Sequence, residues 1–189
     1  SRRGGENMAT ANHAKHEQGM VVAASDNNEG ADVDALEAQY AGIVKNLRAV
    51  YMSGKTRPLE WRLEQCRKLR EGVVAHTQDI VDAMRADLGR HTHEAVLGEI
   101  VSIIGEVDHA IENLAEWMAP EKVWHPMTVQ PGSSQIIYEP KGVVLVLSPW
   151  NYPINLSLLC VLTSIVAGNC TLIKPSEVAP RSAEVIETI

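Results

Sequence analysis

A stretch near the end of the chain restricts the possible folds more than any other. Residues 143–147 are a continuous run of valine and leucine, which predicts a strand covered on both faces in a parallel sheet. Pro153 fits the first position of an apolar helix that Gly168 closes. Residues 171–173 predict a second strand, and Pro180 opens another helix. The order strand, helix, strand, helix predicts an α/β fold built on a parallel sheet.

The loops after these two strands carry the polar groups of chemical interest. Ligands of an open parallel sheet bind outside the carboxyl ends of its strands, so the loops that begin at Ser148 and Lys174 should face one crevice. The Asn151 amide can donate a hydrogen bond to a developing oxyanion, and Lys174 with Glu177 can reach the hydroxyls or phosphate of a nucleotide ribose. Each residue type also has an ordinary structural use, as a helix cap, a solvated strand end or a first-turn acid.

Two motifs add a family resemblance to this pattern. Ser-Pro-Trp-Asn-Tyr-Pro at 148–153 is followed by Ala-Gly-Asn at 167–169 and Lys-Pro-Ser-Glu at 174–177. Together they resemble the first half of the cofactor domain of aldehyde dehydrogenases, in particular the class 3 branch for fatty and aromatic aldehydes. Residues 53–62 resemble the amino-terminal helical region of that branch, so the likeness covers 36–189. The implied fold is a set of amino-terminal helices followed by the first βα units of a Rossmann-like parallel sheet, an incomplete aldehyde dehydrogenase fold.

The resemblance also implies roles for the motif residues. Asn151 is the implied catalytic residue, because the family uses this asparagine to hold an oxyanion. The implied cofactor-binding residues are Ser148, Pro149, Trp150, Lys174 and Glu177. Glu177 favours free ribose hydroxyls whereas Lys174 can pair with a 2′-phosphate, so the cofactor is expected to be NAD or NADP.

The family's reaction sets further expectations. A cysteine thiolate attacks the aldehyde, the asparagine holds the resulting oxyanion, hydride passes to the nicotinamide, and a glutamate base activates water to release the carboxylic acid. The resemblance implies an aldehyde substrate and a homodimer for the complete enzyme, and the odd number of cysteines in unrelated contexts predicts a cytoplasmic location. The sequence carries no motif for the nucleophile or the base and ends at Ile189 inside a predicted helix. We therefore expect the amino-terminal part of an NAD(P)-dependent aldehyde dehydrogenase; the alternative is a truncated, inactive chain that only binds a partner subunit or a nucleotide.

The chain before the motifs begins with a tail and a helical region. Residues 1–33 are polar and lack helical or strand periodicity, which predicts a disordered tail. Residues 34–119 carry apolar stripes at helical spacing, and Thr77 is predicted to cap one of these helices. The resemblance implies that residues 34–189 form the amino-terminal part of the NAD(P)-binding domain.

A bridging region connects the helices to the sheet. Residues 120–142 predict a loop as far as Ser134 and a short strand over 135–139. In the family, such a segment takes part in subunit contact. The strands and helices of the parallel sheet then occupy 143–189.

Composition excludes several classes of function. The net charge of −7 and an aromatic content of 4% argue against a nucleic-acid partner, and the longest apolar stretch is too short and too interrupted to cross a membrane. Cys66, Cys160 and Cys170 are an odd number in unrelated contexts, so we expect reduced thiols, each in a packing position. The spacing of His91 and His93 does not match a metal site, and no bound metal is expected.

Overall fold

The computed structural model describes residues 19–23 and 33–189. A three-stranded parallel sheet lies between two helical layers, and a small antiparallel hairpin stands apart from it. The strands are β1 Met20–Val22, β2 Glu121–Val123, β3 Ser134–Ile136, β4 Val143–Leu147 and β5 Cys170–Lys174. The helices are α1 Val33–Met52, α2 Leu59–Ala75, α3 Thr77–Leu88, α4 Thr92–Ala95, α5 Ser102–Trp117, α6 Pro153–Ala167 and α7 Pro180–Thr188, with a π-helical turn Val96–Val101 between α4 and α5 and a 3-10 turn Met127–Val129.

The parallel sheet has the strand order β1-β5-β4 and buries both of its faces at β5. Successive side chains of a strand point to opposite faces. Ile173 and Val146 therefore pack into the larger core, against helices on one side, while Leu172 and Val143 pack towards α1 on the other. The predicted α/β fold with amino-terminal helices and a parallel sheet is confirmed.

The strand β1 corrects the prediction that the whole of 1–33 is a disordered tail. Met20–Val22 pairs in parallel with β5, with Val21 opposite Leu172, and Val21 is only 2% exposed. The edge of β5 offers unpaired backbone groups, and a short apolar run rich in β-branched residues satisfies them while burying its side chains. The rest of the predicted tail up to residue 32 lies outside the described residues.

The strand β4 is less covered than its composition predicts. Its last residues alternate, with Val146 buried but Leu145 and Leu147 57% and 70% exposed. The α1 layer contacts Val143 at the start of the strand and does not extend over the two leucines. The expectation of a strand covered on both faces is therefore wrong for one face of β4 among the described residues.

The helix α6, which connects β4 to β5, is fixed at both ends. Pro153 occupies its first turn as predicted, and Gly168 ends it with a φ of 86°, a conformation that favours glycine. The Arg62 guanidinium donates from Nη1 to the Val166 carbonyl at 2.9 Å, and the Thr56 hydroxyl donates to the Gly168 carbonyl at 2.7 Å. A buried cation at a helix carboxyl end satisfies free carbonyls and opposes the helix dipole. The amino-terminal helices thus hold the helix that follows the Asn151 loop.

Two local predictions in the helical and bridging regions are wrong. The Thr77 hydroxyl does not cap α3 but donates to the Val74 carbonyl at 2.9 Å, because only His76 separates α2 from α3 and Thr77 already lies over the last turn of α2. In the bridging region, β2 lies within the predicted loop and pairs with β3, with Lys122 opposite Gln135. The second strand also begins and ends earlier than predicted, because its register is set by pairing with β2.

Candidate active site at the carboxyl ends of the parallel strands

The loops after β4 and β5 begin side by side. Leu147 pairs with Lys174 at the end of the ladder, and the Ser148 N–H donates to the Lys174 carbonyl at 3.0 Å. Parallel strands in register present their carboxyl ends at the same edge of the sheet. The structure therefore brings the two loops that carry the predicted site residues to one place, as the sequence predicts.

The loop that carries Asn151 is exposed except at its first residue. Asn151, Pro149 and Trp150 are exposed, with Trp150 at 54%. Ser148 is half-buried, and its Oγ has no hydrogen-bond partner within the described residues. A buried hydroxyl without a partner is unusual in a folded protein and costs free energy, so this loop contains an unused donor and acceptor beside the strand end.

The loop after β5 holds the second predicted pair. The Lys174 Nζ contacts the Glu177 Oε2 in an ion pair, with the two side chains 40% and 52% exposed. The hydrogen bond from Lys174 lowers the pKa of Glu177, so the carboxylate is ionised at neutral pH. Both side chains are accessible to a ligand. A surface ion pair of this kind is weak, so either group can exchange its partner for another one.

A buried polar cluster lies directly behind the Asn151 loop, and sequence reasoning missed it. Glu99 in the π-helical turn is fully buried, and its Oε2 accepts a hydrogen bond from the Asn155 N–H at 2.6 Å. Arg90 contacts Glu99 Oε1 through Nη1 at 3.4 Å and donates through Nη2 to the Asn151 carbonyl. The signal in the sequence is a single glutamate among the apolar residues of a helical stripe, which rarely occurs without a partner.

Burial dominates the electrostatics of this cluster. The pKa of Glu99 is raised because desolvation disfavours the carboxylate more than its partners favour it. Those partners are the N–H of Asn155, the Arg90 guanidinium and the N–H of Ile154. The Arg90 guanidinium also lies 4.0 Å from the centre of the Tyr152 ring, a stacking contact that suits arginine better than lysine.

Comparisons with known proteins decide the family. The sequence pattern of the aldehyde dehydrogenase family matches residues 11–189. The chain belongs to the aldehyde dehydrogenase family. Aldehyde dehydrogenase family 3 comG from Dictyostelium discoideum is 44% identical over 134 residues, which are 71% of this chain and 28% of that protein. The dog protein named aldehyde dehydrogenase, dimeric NADP-preferring is 37% identical over 147 residues, 78% of this chain and 32% of that protein.

The fold comparison agrees with the sequence comparison. The substrate-bound structure of Staphylococcus aureus AldH superposes with a TM-score of 0.73 at 34% identity, over 75% of this chain and 32% of that one. The predicted class 3 resemblance is confirmed by the family 3 relatives. This aldehyde dehydrogenase chain spans about 30% of the length of the curated relatives that it matches.

The three cysteines of this aldehyde dehydrogenase chain differ in their surroundings. Cys66 and Cys170 are buried, and burial raises the pKa of each thiol to about 11. Cys160 is exposed on α6, so the prediction that all three are packing residues is wrong for Cys160. Its side chain lies on a face of α6, beside the uncovered residues of β4, and borders an open groove of about 430 Å³ there.

Other sequence expectations concern membranes and metals. In the part of the chain that the structure describes, every helix is too short or too polar to span a bilayer. His91 precedes α4, and its ring accepts a hydrogen bond from the His93 N–H at 3.3 Å. Among the same residues no cluster of three metal-ligating side chains occurs.

Proposed function

We propose that this chain provides the oxyanion-binding and ribose-binding part of an NAD(P)-dependent aldehyde dehydrogenase that oxidises aldehydes to carboxylic acids. One observation carries the proposal. The Ser148 N–H donates to the Lys174 carbonyl, so the Asn151 loop and the Lys174–Glu177 loop start at the same edge of the parallel sheet. A substrate carbonyl and a cofactor ribose have to lie near each other in such a reaction, because hydride passes between the substrate and the cofactor.

The proposed work of Asn151 is electrostatic. Its side chain is an exposed amide at the start of α6, and an amide N–H aimed at a developing oxyanion stabilises the transition state more than the ground state. The loop that carries it is held from behind by Arg90. A fixed donor needs no reorganisation when negative charge develops, and this is the source of its catalytic value.

The residues after β5 fit the ribose end of a nicotinamide cofactor. Glu177 is ionised and can accept hydrogen bonds from ribose hydroxyls, while the Lys174 ammonium can donate to hydroxyls or to a 2′-phosphate. The Ser148 Oγ, which is buried and has no partner among the described residues, lies in the neighbouring loop and would have to turn outward to reach the ribose. NAD or NADP would supply the hydride acceptor, and the name of the dog relative, NADP-preferring, is compatible with the lysine.

We further propose that none of the three cysteines is the nucleophile. The thiols of Cys66 and Cys170 are buried and have raised pKa values, so little thiolate is available at neutral pH. Cys160 is exposed but lies two turns into α6, roughly 10 Å from the helix start at a rise of about 1.5 Å per residue. Their reduced state fits a cytoplasmic protein.

We also propose that the β2–β3 hairpin and the residues beside it contact another subunit. Trp124 is 85% exposed, and Met127, Ile137 and Tyr138 of the same bridging region are also exposed. Exposed apolar patches of this kind mark protein interaction sites, and the dog relative is named as dimeric. A homodimer is the partner that we propose. The same surface favours the alternative function, in which an inactive chain binds only a partner subunit.

The experiment that tests the catalytic proposal is an Asn151→Ala variant of the full-length protein that carries this chain. We expect the single-turnover rate of acylation to fall about a hundredfold or more, which corresponds to about 3 kcal/mol of lost oxyanion stabilisation. Cofactor affinity should change little. Asn113→Ala, at a half-buried asparagine on α5 whose side-chain amide bonds to His109 of its own helix, is the matched control. An Asn151→Ala enzyme that acylates as fast as the unaltered protein would refute the proposal.

A further inference from the structure

The π-helical turn Val96–Val101 brings a buried acid to the start of α6. A π turn contains one extra residue and is often found at functional sites. Here it places the fully buried Glu99 so that its Oε2 accepts a hydrogen bond from the backbone N–H of Asn155 at 2.6 Å. The carbonyl of Gly98 accepts a second hydrogen bond, from the side-chain amide of Asn155. The first turn of α6 is therefore held to the π turn by two hydrogen bonds.

Arg90 links this cluster to the Asn151 loop. Its guanidinium pairs with Glu99 Oε1 at 3.4 Å, lies 4.0 Å from the Tyr152 ring centre and donates to the Asn151 carbonyl. The Arg90 side chain is only 12% exposed, so these contacts are little screened by solvent. Gly98 permits the arrangement, since a Cβ there would lie 3.0 Å from the Tyr152 ring.

We propose that Arg90 and Glu99 are positioning residues that fix the Asn151 amide where the oxyanion develops. The inference rests on the proposed function of Asn151. Arg90 donates a hydrogen bond to the backbone carbonyl of Asn151 itself. Glu99 contacts both the Arg90 guanidinium and the backbone N–H of Asn155. An oxyanion donor works only within a narrow range of distances, and a shift of about 1 Å can cost up to a hundredfold in rate. Neither residue needs to touch the substrate.

The test uses Arg90→Met and Glu99→Gln in the full-length protein, with benzaldehyde and NAD as probes. We expect Arg90→Met to lower the single-turnover acylation rate about tenfold and Glu99→Gln about threefold, because the donor is displaced rather than removed. The dissociation constant for NAD should stay within about twofold, since the ribose pair lies in the other loop. Arg70→Met is the matched control, because it breaks the Arg70–Asp108 pair between α2 and α5 without touching the Asn151 loop, and it should acylate at the normal rate.

A double-mutant cycle with Asn151→Ala separates positioning from a general structural effect. If Arg90 acts through Asn151, then Arg90→Met slows acylation no further in the Asn151→Ala background. Independent, multiplicative losses, or an Arg90→Met enzyme with the normal rate, would overturn the inference. A normal rate for Asn151→Ala alone would instead refute the proposed function. If thermal melting shows that Arg90→Met is unfolded, Arg90→Lys and Glu99→Gln are taken through the same cycle, where the same outcomes decide.

Discussion

The Asp87 carboxylate on α3 caps α7 across 95 residues of sequence: its Oδ2 accepts hydrogen bonds from the Ser182 N–H at 2.8 Å and from the Ser182 hydroxyl at 2.7 Å. Its other oxygen accepts from the Arg181 N–H at 3.1 Å. The residue before α7, Ala179, has no side-chain oxygen to do this. Because α7 follows the Glu177 loop, a helix of the amino-terminal region fixes where that loop ends.

Replacing Asp87 with alanine should lower the free energy of unfolding by about 2 kcal/mol, because two amide N–H donors and the Ser182 hydroxyl at the start of α7 lose their acceptor and the helix dipole loses a favourable charge. Urea unfolding of the protein measures the change. Asp82→Ala is the control, since the Asp82 carboxylate is exposed and bonds to Gln78 in its own helix; it should cost less than about 0.5 kcal/mol. Equal midpoints for the two variants would contradict the capping role.

Lys174 and Glu177 should affect the choice of cofactor in different ways. Glu177→Gln removes a carboxylate that would repel a 2′-phosphate, so the ratio of NADP to NAD affinity should rise by about tenfold. Lys174→Ala removes the cation that we propose contacts the ribose of either cofactor, so it should weaken the binding of both. Cofactor titrations of the full-length protein, followed by fluorescence, measure both effects. Equal effects of the two substitutions on NAD and NADP would show that neither residue meets the ribose.

Glu99 should make stability fall as the pH rises. The pKa of Glu99 is raised in the folded protein, so the folded state keeps a proton that the unfolded state has already lost above about pH 4.3, the ordinary glutamate pKa. The associated stability is complete below that pH and is lost as the pH rises through the raised pKa, by about 1.4 kcal/mol for each pH unit that separates the folded and unfolded pKa values. Urea unfolding over this pH range should show that the free energy of unfolding of the unaltered protein falls relative to that of Glu99→Gln as the pH rises. Parallel pH profiles would contradict the assignment.

The features that sequence reasoning located correctly depend on local backbone chemistry. Pro153 and Gly168 bound α6 because one residue fixes a helical φ and the other accepts a φ of 86°. The two loops of the site could be placed side by side because parallel strands with a helical connection have few arrangements. These inferences do not require knowing which side chains pack against each other in the folded protein.

The features that it missed depend on distant partners. The Glu99–Asn155 bond joins residues that are 56 positions apart, and no period or motif connects them. Cys160 lies on an apolar helix, yet its exposure is decided by which strands cover that face of α6. The strand Met20–Val22 has three residues, too few for a period, and forms because β5 offers it an edge.

The chain by itself, mixed with NAD or NADP and a panel of aliphatic and aromatic aldehydes at neutral pH, should produce no reduced cofactor. Hydride leaves the carbonyl carbon readily only after a nucleophile has made that carbon tetrahedral. Cys66 and Cys170 are buried with a thiol pKa of about 11, so about one molecule in ten thousand carries the thiolate at pH 7. Nicotinamide absorbance measures the reaction, circular dichroism checks that the chain is helical, and the full-length protein is the positive control.

Of the three cysteines, Cys160 is the one with an exposed thiol. It is accessible to solvent, but it lies on the side of α6 and not in the loop that carries Asn151. An aldehyde held against Cys160 would therefore have its oxygen about 10 Å along the helix from the loop amide, at a rise of about 1.5 Å per residue, too far for the Asn151 side chain to stabilise the oxyanion. A Cys160→Ser variant should behave like the unaltered chain. Turnover by the chain that disappears in Cys160→Ser would show that Cys160 is the nucleophile and that the oxyanion has a donor other than Asn151.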